Sequence, residues 1–167
     1  MPELRIEQVS ITHPDADRLV EEVQQEYVVR YGGRDDTPLE PSMFEPPRGA
    51  FFVGYLDDVP VATGALRLRD DVLALGSSTT AEIKRMYVAP AARRTGTARR
   101  MLAHLEAAAL AAGREVIVLE TGTAQPEAIA LYESSGYERI ADFGHYKDAP
   151  LSRCYARRLS DAATPQL

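Results

Sequence analysis

A glycine set between a strand-like run and a helix-like run constrains this chain more than any other feature of its 167 residues. Ile83 to Val88 reads as a strand, and an Ala/Leu-rich run begins near Thr97. Between them lies Arg93-Arg94-Thr95-Gly96-Thr97-Ala98. Glycine lets a backbone turn tightly at the mouth of a helix, where unpaired N–H groups and the helix dipole favour an anion. Two arginines add fixed positive charge in a chain whose formal net charge is −6. The local chemistry predicts a phosphate or pyrophosphate at residues 94–98. The same spacing also fits a plain strand–loop–helix connection carrying a surface arginine, so the surrounding pattern must decide.

That pattern begins with Leu4 to Val9, which alternates as a strand. Asp15 is placed to cap a helix running to about Tyr31, with Leu19, Val23 and Tyr27 on one face and Gly32-Gly33 ending it. Residues 34–49 hold four prolines and predict an irregular segment with one helical turn around Ser42 to Glu45. A loop of that length in a compact domain is often functional. Ala50 to Leu56 and Val61 to Leu68, joined through Asp57-Asp58, read as an antiparallel hairpin.

A polar loop, Arg69 to Thr80, leads to the strand Ala81 to Val88. The helix from about Thr97 to Ala112 stops at Gly113. Val116 to Glu120 has the continuous apolar character of a strand buried on both faces. Pro126 to Ser135 is a third helix, ended by Gly136, and Tyr137 to Ala141 and Ser152 to Leu159 are two late strands. The order β-α-(irregular)-β-β-β-α-β-α-β-β implies an α/β (α+β) domain, with a mixed sheet and helices on both faces.

Size and charge narrow the classes. With 45% hydrophobic residues the chain can bury one core, and the reading is a single domain over 1–160 with a polar tail over 161–167. No run approaches the roughly 20 apolar residues of a membrane span, and Met1 to Arg5 lacks a signal-peptide pattern. One cysteine, Cys154, and no CxxC motif point to a reducing, cytoplasmic setting without a metal site. The acidic balance argues against nucleic acid and favours a cationic co-substrate.

The motifs together resemble the GNAT superfamily of acyl-CoA-dependent N-acetyltransferases. Arg93 to Ala98 fits its pyrophosphate loop, (Gln/Arg)-x-x-Gly-x-(Gly/Ala). Ala81-Glu82-Ile83-Lys84-Arg85-Met86-Tyr87-Val88-Ala89-Pro90 is similar to its fourth strand. Ala128-Ile129-Ala130-Leu131-Tyr132-Glu133-Ser134-Ser135-Gly136-Tyr137 is similar to its late helix and the strand after it. These span residues 81–137 in the family's order, and the hairpin fits its second and third strands. Ala98 stands where many members have glycine, and Gln125 where many have an asparagine that contacts pantetheine. Residues 1–48 carry little of the resemblance.

The resemblance implies a mostly antiparallel central sheet of about seven strands and direct acetyl transfer from acetyl-CoA to a primary amine, with no metal. Backbone N–H groups of Arg94, Thr95, Gly96, Thr97 and Ala98 would hold the pyrophosphate, with Arg93 or Arg94 adding charge. The Met86–Tyr87–Val88 backbone would bond the pantetheine arm, and Gln125 would assist. Glu82 is the implied base, directly or through a water, with Glu120 as the alternative. Tyr132 is the implied acid for the leaving thiolate, a role compatible with anchoring its helix. His145, in Phe143-Gly144-His145-Tyr146, is a further base candidate; His13 and His104 read as surface residues and Cys154 as packing.

A small-molecule amine is the expected acceptor. A protein lysine or N-terminus is the second reading, and a non-catalytic acetyl-CoA sensor the third. A nucleotide-binding α/β protein is disfavoured because GxGxxG and GxxxxGK[ST] are both absent. The family also allows a homodimer.

Overall fold

The computed structural model describes residues 3–159, so the expected tail over 161–167 lies outside it. Seven strands form one sheet in the order β1-β2-β3-β4-β5-β7-β6, mostly antiparallel, and three helices accompany it. The strands are β1 (Leu4–Val9), β2 (Gly49–Leu56), β3 (Val59–Arg69), β4 (Thr80–Val88), β5 (Val116–Gly122), β6 (Glu138–Ile140) and β7 (Ser152–Arg158). The helices are α1 (Pro14–Tyr31), α2 (Thr97–Ala111) and α3 (Pro126–Ser134). Short 3-10 turns cover Pro41–Phe44 and Pro90–Ala92.

The chain divides into two compact units. Among the described residues the first comprises 3–67 and 83–105, the second 68–82 and 106–159, so β3, β4 and α2 each contribute to both.

In the first unit, β1 pairs with β2 and β2 with β3, both antiparallel. The β2–β3 turn places Asp57 and Asp58 at φ 49° and 62°, the left-handed pair that a two-residue hairpin of this hand requires. Leu19 and Val23 of α1 pack with Phe44, Phe51, Val53 and Tyr87 in a buried cluster. Glycine is obligatory at 49, because a Cβ there would lie 2.2 Å from the Leu66 carbonyl oxygen and 2.3 Å from that of Met43. At Gly64 a Cβ would meet Leu105 and Met101 at 2.9–3.0 Å, so its absence lets α2 seat on β3.

The second unit is built on β5, whose Val116 to Leu119 are all fully buried, as a strand covered on both faces should be. It pairs antiparallel with β7, and β7 with β6. Val72, Ala74, Val116, Val118 and Ala156 form its apolar cluster, with Ile140 and Phe143 against it.

One cap differs from expectation. The N-cap of α1 is His13, whose Nδ1 accepts from the Asp15 N–H at 3.1 Å, and Pro14 occupies the first helical position. Proline suits that position because its missing N–H would be unpaired there in any case. Asp15 instead accepts a 2.7 Å bond from the Tyr55 hydroxyl. His104 is likewise half-buried rather than a surface residue, with its ring edge-on to Phe52 at 4.7 Å and its pKa lowered by burial.

Candidate active site

In the first unit the end of β4 runs through the turn Pro90–Ala92 into the loop and then into α2. Gly96 has φ +81°, and Arg94 has φ +62°. The Gly96 carbonyl accepts the first helical bond, from the Arg100 N–H at 3.1 Å. A glycine at this junction costs little in the left-handed region, where a side chain would strain. The next N–H groups belong to the first helical turn, which has no upstream carbonyl within the helix. Thr95 Oγ1 bonds the Ala92 carbonyl and lies 2.8 Å from Thr97 Oγ1, which stiffens the loop.

Arg93 and Arg94 differ in role. The Arg93 Nε donates to the Val88 carbonyl at 2.9 Å, its Nη2 bonds Glu26 of α1, and its guanidinium lies over the Tyr87 ring. Arg93 therefore fastens the loop to β4 and α1. Arg94 is exposed on the loop beside Gly96. The Tyr87 side chain is buried and its hydroxyl donates to Glu22 at 3.2 Å. Burial first, then Glu22, pushes its pKa up to about 12, so a cofactor contact at this residue would fall to its backbone.

The second unit holds the two expected catalytic side chains. Glu82 is 4% exposed, and Arg69 Nη1 donates to its Oε1 at 2.7 Å. Arg69 also grips Asp71 through Nε and Nη2, both at 2.7 Å, and its own carbonyl accepts from Arg114. Glu82 thus sits in a charged network whose arginine the sequence reading did not single out. Arg69 is the last residue of β3, and its paired distance to residue 82 is set by the loop between β3 and β4, which no periodicity reveals.

Tyr132 is 5% exposed on α3, with its ring 5.6 Å from that of Tyr137. The end of α3 is a Schellman turn: Tyr137 N–H bonds the Tyr132 carbonyl at 3.0 Å, Gly136 N–H bonds the Glu133 carbonyl at 3.3 Å, and Gly136 has φ +89°. The turn fixes where Tyr132 projects. Gln125 occupies the N-cap position of α3 and makes no side-chain cap bond.

Glu120 is half-buried on β5. Its Oε2 is 3.9 Å from Cys154 Sγ, and a Cβ on Gly144 would lie 3.9 Å from the same oxygen. The loop carrying His145 therefore folds close to Glu120, while His145 itself is exposed and stacked edge-on with Tyr146. Cys154 is fully buried, and burial pushes its thiol up to about 12, which suits packing and not nucleophilic attack. Among the described residues no three His, Cys, Asp or Glu side chains gather as a metal-ligand set, and no helix is long and apolar enough to cross a membrane.

Comparison with known proteins gives one consistent family. The model of the acetyltransferase (GNAT) family matches residues 16–137. An IAA acetyltransferase of Azospirillum brasilense is 31% identical over 152 residues, 91% of this chain and 95% of that protein. Two solved structures share the fold. A GNAT-family acetyltransferase from Staphylococcus aureus Mu50 has a TM-score of 0.74 at 18% identity, covering 95% of this chain and 100% of its own. A GNAT-family acetyltransferase from Elizabethkingia anophelis, with acetyl-CoA bound, has a TM-score of 0.64 at 15% identity, covering 93% and 98%. The matched segment contains the glycine loop, β4 and α3, the elements on which the resemblance rests, and this chain belongs to the GNAT acetyltransferase family.

Proposed function

We propose that the protein transfers the acetyl group of acetyl-CoA to the nitrogen of a small-molecule primary amine, by direct attack within a ternary complex. The observation that carries the reading is the β4–loop–α2 junction, with Gly96 left-handed at the mouth of a fifteen-residue helix and Arg94 exposed beside it. N–H groups of Arg94, Thr95, Gly96, Thr97 and Ala98 hold the pyrophosphate, as helix-mouth amides hold anions elsewhere. Met86, Tyr87 and Val88 offer their backbone to the pantetheine arm, and Gln125 adds an amide contact. Arg93 contributes by shaping the loop.

In the reaction the amine nitrogen forms a bond to the thioester carbonyl carbon as the carbon–sulfur bond breaks. The ammonium proton leaves to a carboxylate, and the departing thiolate gains a proton from the Tyr132 hydroxyl. A backbone N–H at Met86 or Val88 polarises the carbonyl oxygen, an interaction worth about 3 kcal/mol in the transition state. Glu82 is the proposed base. Arg69 donates to its Oε1 at 2.7 Å, and a water between Glu82 and the amine would carry the proton while leaving that ion pair in place. The related IAA acetyltransferase and the acetyl-CoA bound to the Elizabethkingia protein support the co-substrate assignment.

The test is release of CoA thiol from acetyl-CoA against amines, amino acids and lysine peptides, with Gly96→Glu as control. The reading expects release with one small-amine class and no acetyl-CoA binding by the variant. Release with lysine peptides alone would move the acceptor to protein. Acetyl-CoA binding without release across the panel would favour a sensor.

A further inference from the structure

Arg85 concentrates three unfavourable features in one residue of the first unit. Its backbone lies at φ +53° in the middle of β4, where a non-glycine residue stays only under constraint. Its side chain is 7% exposed, and its guanidinium forms an ion pair with Asp35, Nη1 to Oδ2 at 2.8 Å. Its Nε is buried with no hydrogen-bond partner, a state that native proteins rarely tolerate without a use. A glycine would relieve the backbone, and an apolar side chain would remove the buried donor. Such costs, gathered one residue before Met86, mark function more than packing.

The restraints on Arg85 come from two directions. Its carbonyl accepts a 2.6 Å bond from Oγ1 of Thr63, a fully buried residue of β3. Its side chain is held by Asp35, which is itself fixed at every polar group. Asp35 Oδ1 accepts from the Thr37 N–H at 3.0 Å and from Thr37 Oγ1 at 2.6 Å. The Asp35 N–H donates to Gln24 Oε1 at 2.8 Å, and its carbonyl accepts from Gln24 Nε2 at 3.1 Å. Gln24 is buried on α1. The irregular segment after α1 is thereby tied to the left-handed residue of β4.

We propose that the Arg85–Asp35 pair is a positioning device that holds the left-handed kink of β4 and so aims the Met86 backbone N–H at the thioester oxygen. The inference rests on the reading of β4 as the acetyl-CoA-binding strand. It makes Asp35 and Thr37, which reach the kink of β4 through the Arg85 guanidinium, determinants of turnover and not of co-substrate affinity.

The experiment is an acetyl-CoA titration of nitrogen-15-labelled protein, read at the amides of Met86 and of residues 95–98, for the wild type and for Asp35→Asn, Arg85→Gln, Arg85→Lys and Thr37→Val. In the wild type both groups of amides shift. In Asp35→Asn and Arg85→Gln the loop amides still shift at the same concentration, the Met86 shift is lost, and turnover falls about tenfold or more. Arg85→Lys, which keeps a charged donor for Asp35, restores part of the Met86 shift. Thr37→Val, which loosens Asp35 without touching Arg85, gives an intermediate loss and serves if the buried variants fail to fold. An undiminished Met86 shift in the folded variants overturns the positioning role, as does a wild type that binds acetyl-CoA with Met86 unmoved. A wild type that binds no acetyl-CoA overturns the proposed function itself.

Discussion

Asp35 and Cys154 lie at opposite ends of the carboxylate and thiol ranges, and each carries a test. Burial raises the Asp35 pKa, but bonds from Thr37 and the charges of Arg85 and Lys84 outweigh it and bring the value down to about 2. The unfolded carboxylate titrates near 4. The stabilisation is therefore present above about pH 4 and lost as pH falls towards 2. Urea unfolding from pH 5 to 2 should show this loss, and Asp35→Asn should flatten it; an unchanged slope in the variant would count against the paired geometry. For Cys154, burial and the nearby Phe143 carbonyl, Glu120 and Asp142 leave a net rise to about 12. Thiol labelling at pH 8 should be negligible in the native protein and stoichiometric after denaturation. Rapid native labelling would remove Cys154 from the core.

The base can be settled at the same scale. Glu82→Gln should lower turnover at least tenfold, in keeping with loss of a general base, while acetyl-CoA affinity is retained. Glu120→Gln should leave turnover within about twofold. The reverse ranking would transfer the base role to Glu120.

At the scale of elements, backbone chemistry explains why some boundaries were legible in the sequence. Gly32, Gly113 and Gly136 end α1, α2 and α3 with φ of 78–89°, and a left-handed residue after a helix is the position that favours glycine most. The apolar run of β5 and the Asp57-Asp58 hairpin were equally plain. The cap of α1 was misread because Asp15 is the commoner capping type, although Pro14 beside His13 was the better signal. What could not be read were pairings made across sequence distance: Arg69 with Glu82, Arg85 with Asp35, Arg93 with Glu26. Each joins residues whose approach depends on loop paths, and a helix or strand period says nothing of them. The close contact at Gly49 has a direct consequence. Gly49→Ala should destabilise the fold by about 3 kcal/mol, because the obstructing atoms are backbone carbonyls that cannot swing aside. A chemical-denaturation midpoint equal to that of the wild type would contradict this packing.

For the whole molecule, a formal net charge of −6 with Arg93 and Arg94 side by side before α2 sets a local positive charge suited to a phosphorylated co-substrate against an acidic balance. The family and the sheet were legible because three motifs fall in order over residues 81–137, within the segment that the family model matches. The acceptor was not, because residues 1–48 carry little of the resemblance and hold no motif whose spacing names a substrate chemistry. The most direct measurement of the central claim is mass spectrometry of an amine panel incubated with the protein and acetyl-CoA labelled in the acetyl carbons. The account expects label on the nitrogen of one amine class, in amounts equal to the CoA thiol released. Labelled free acetate alone, or label on oxygen, would contradict N-acetyl transfer.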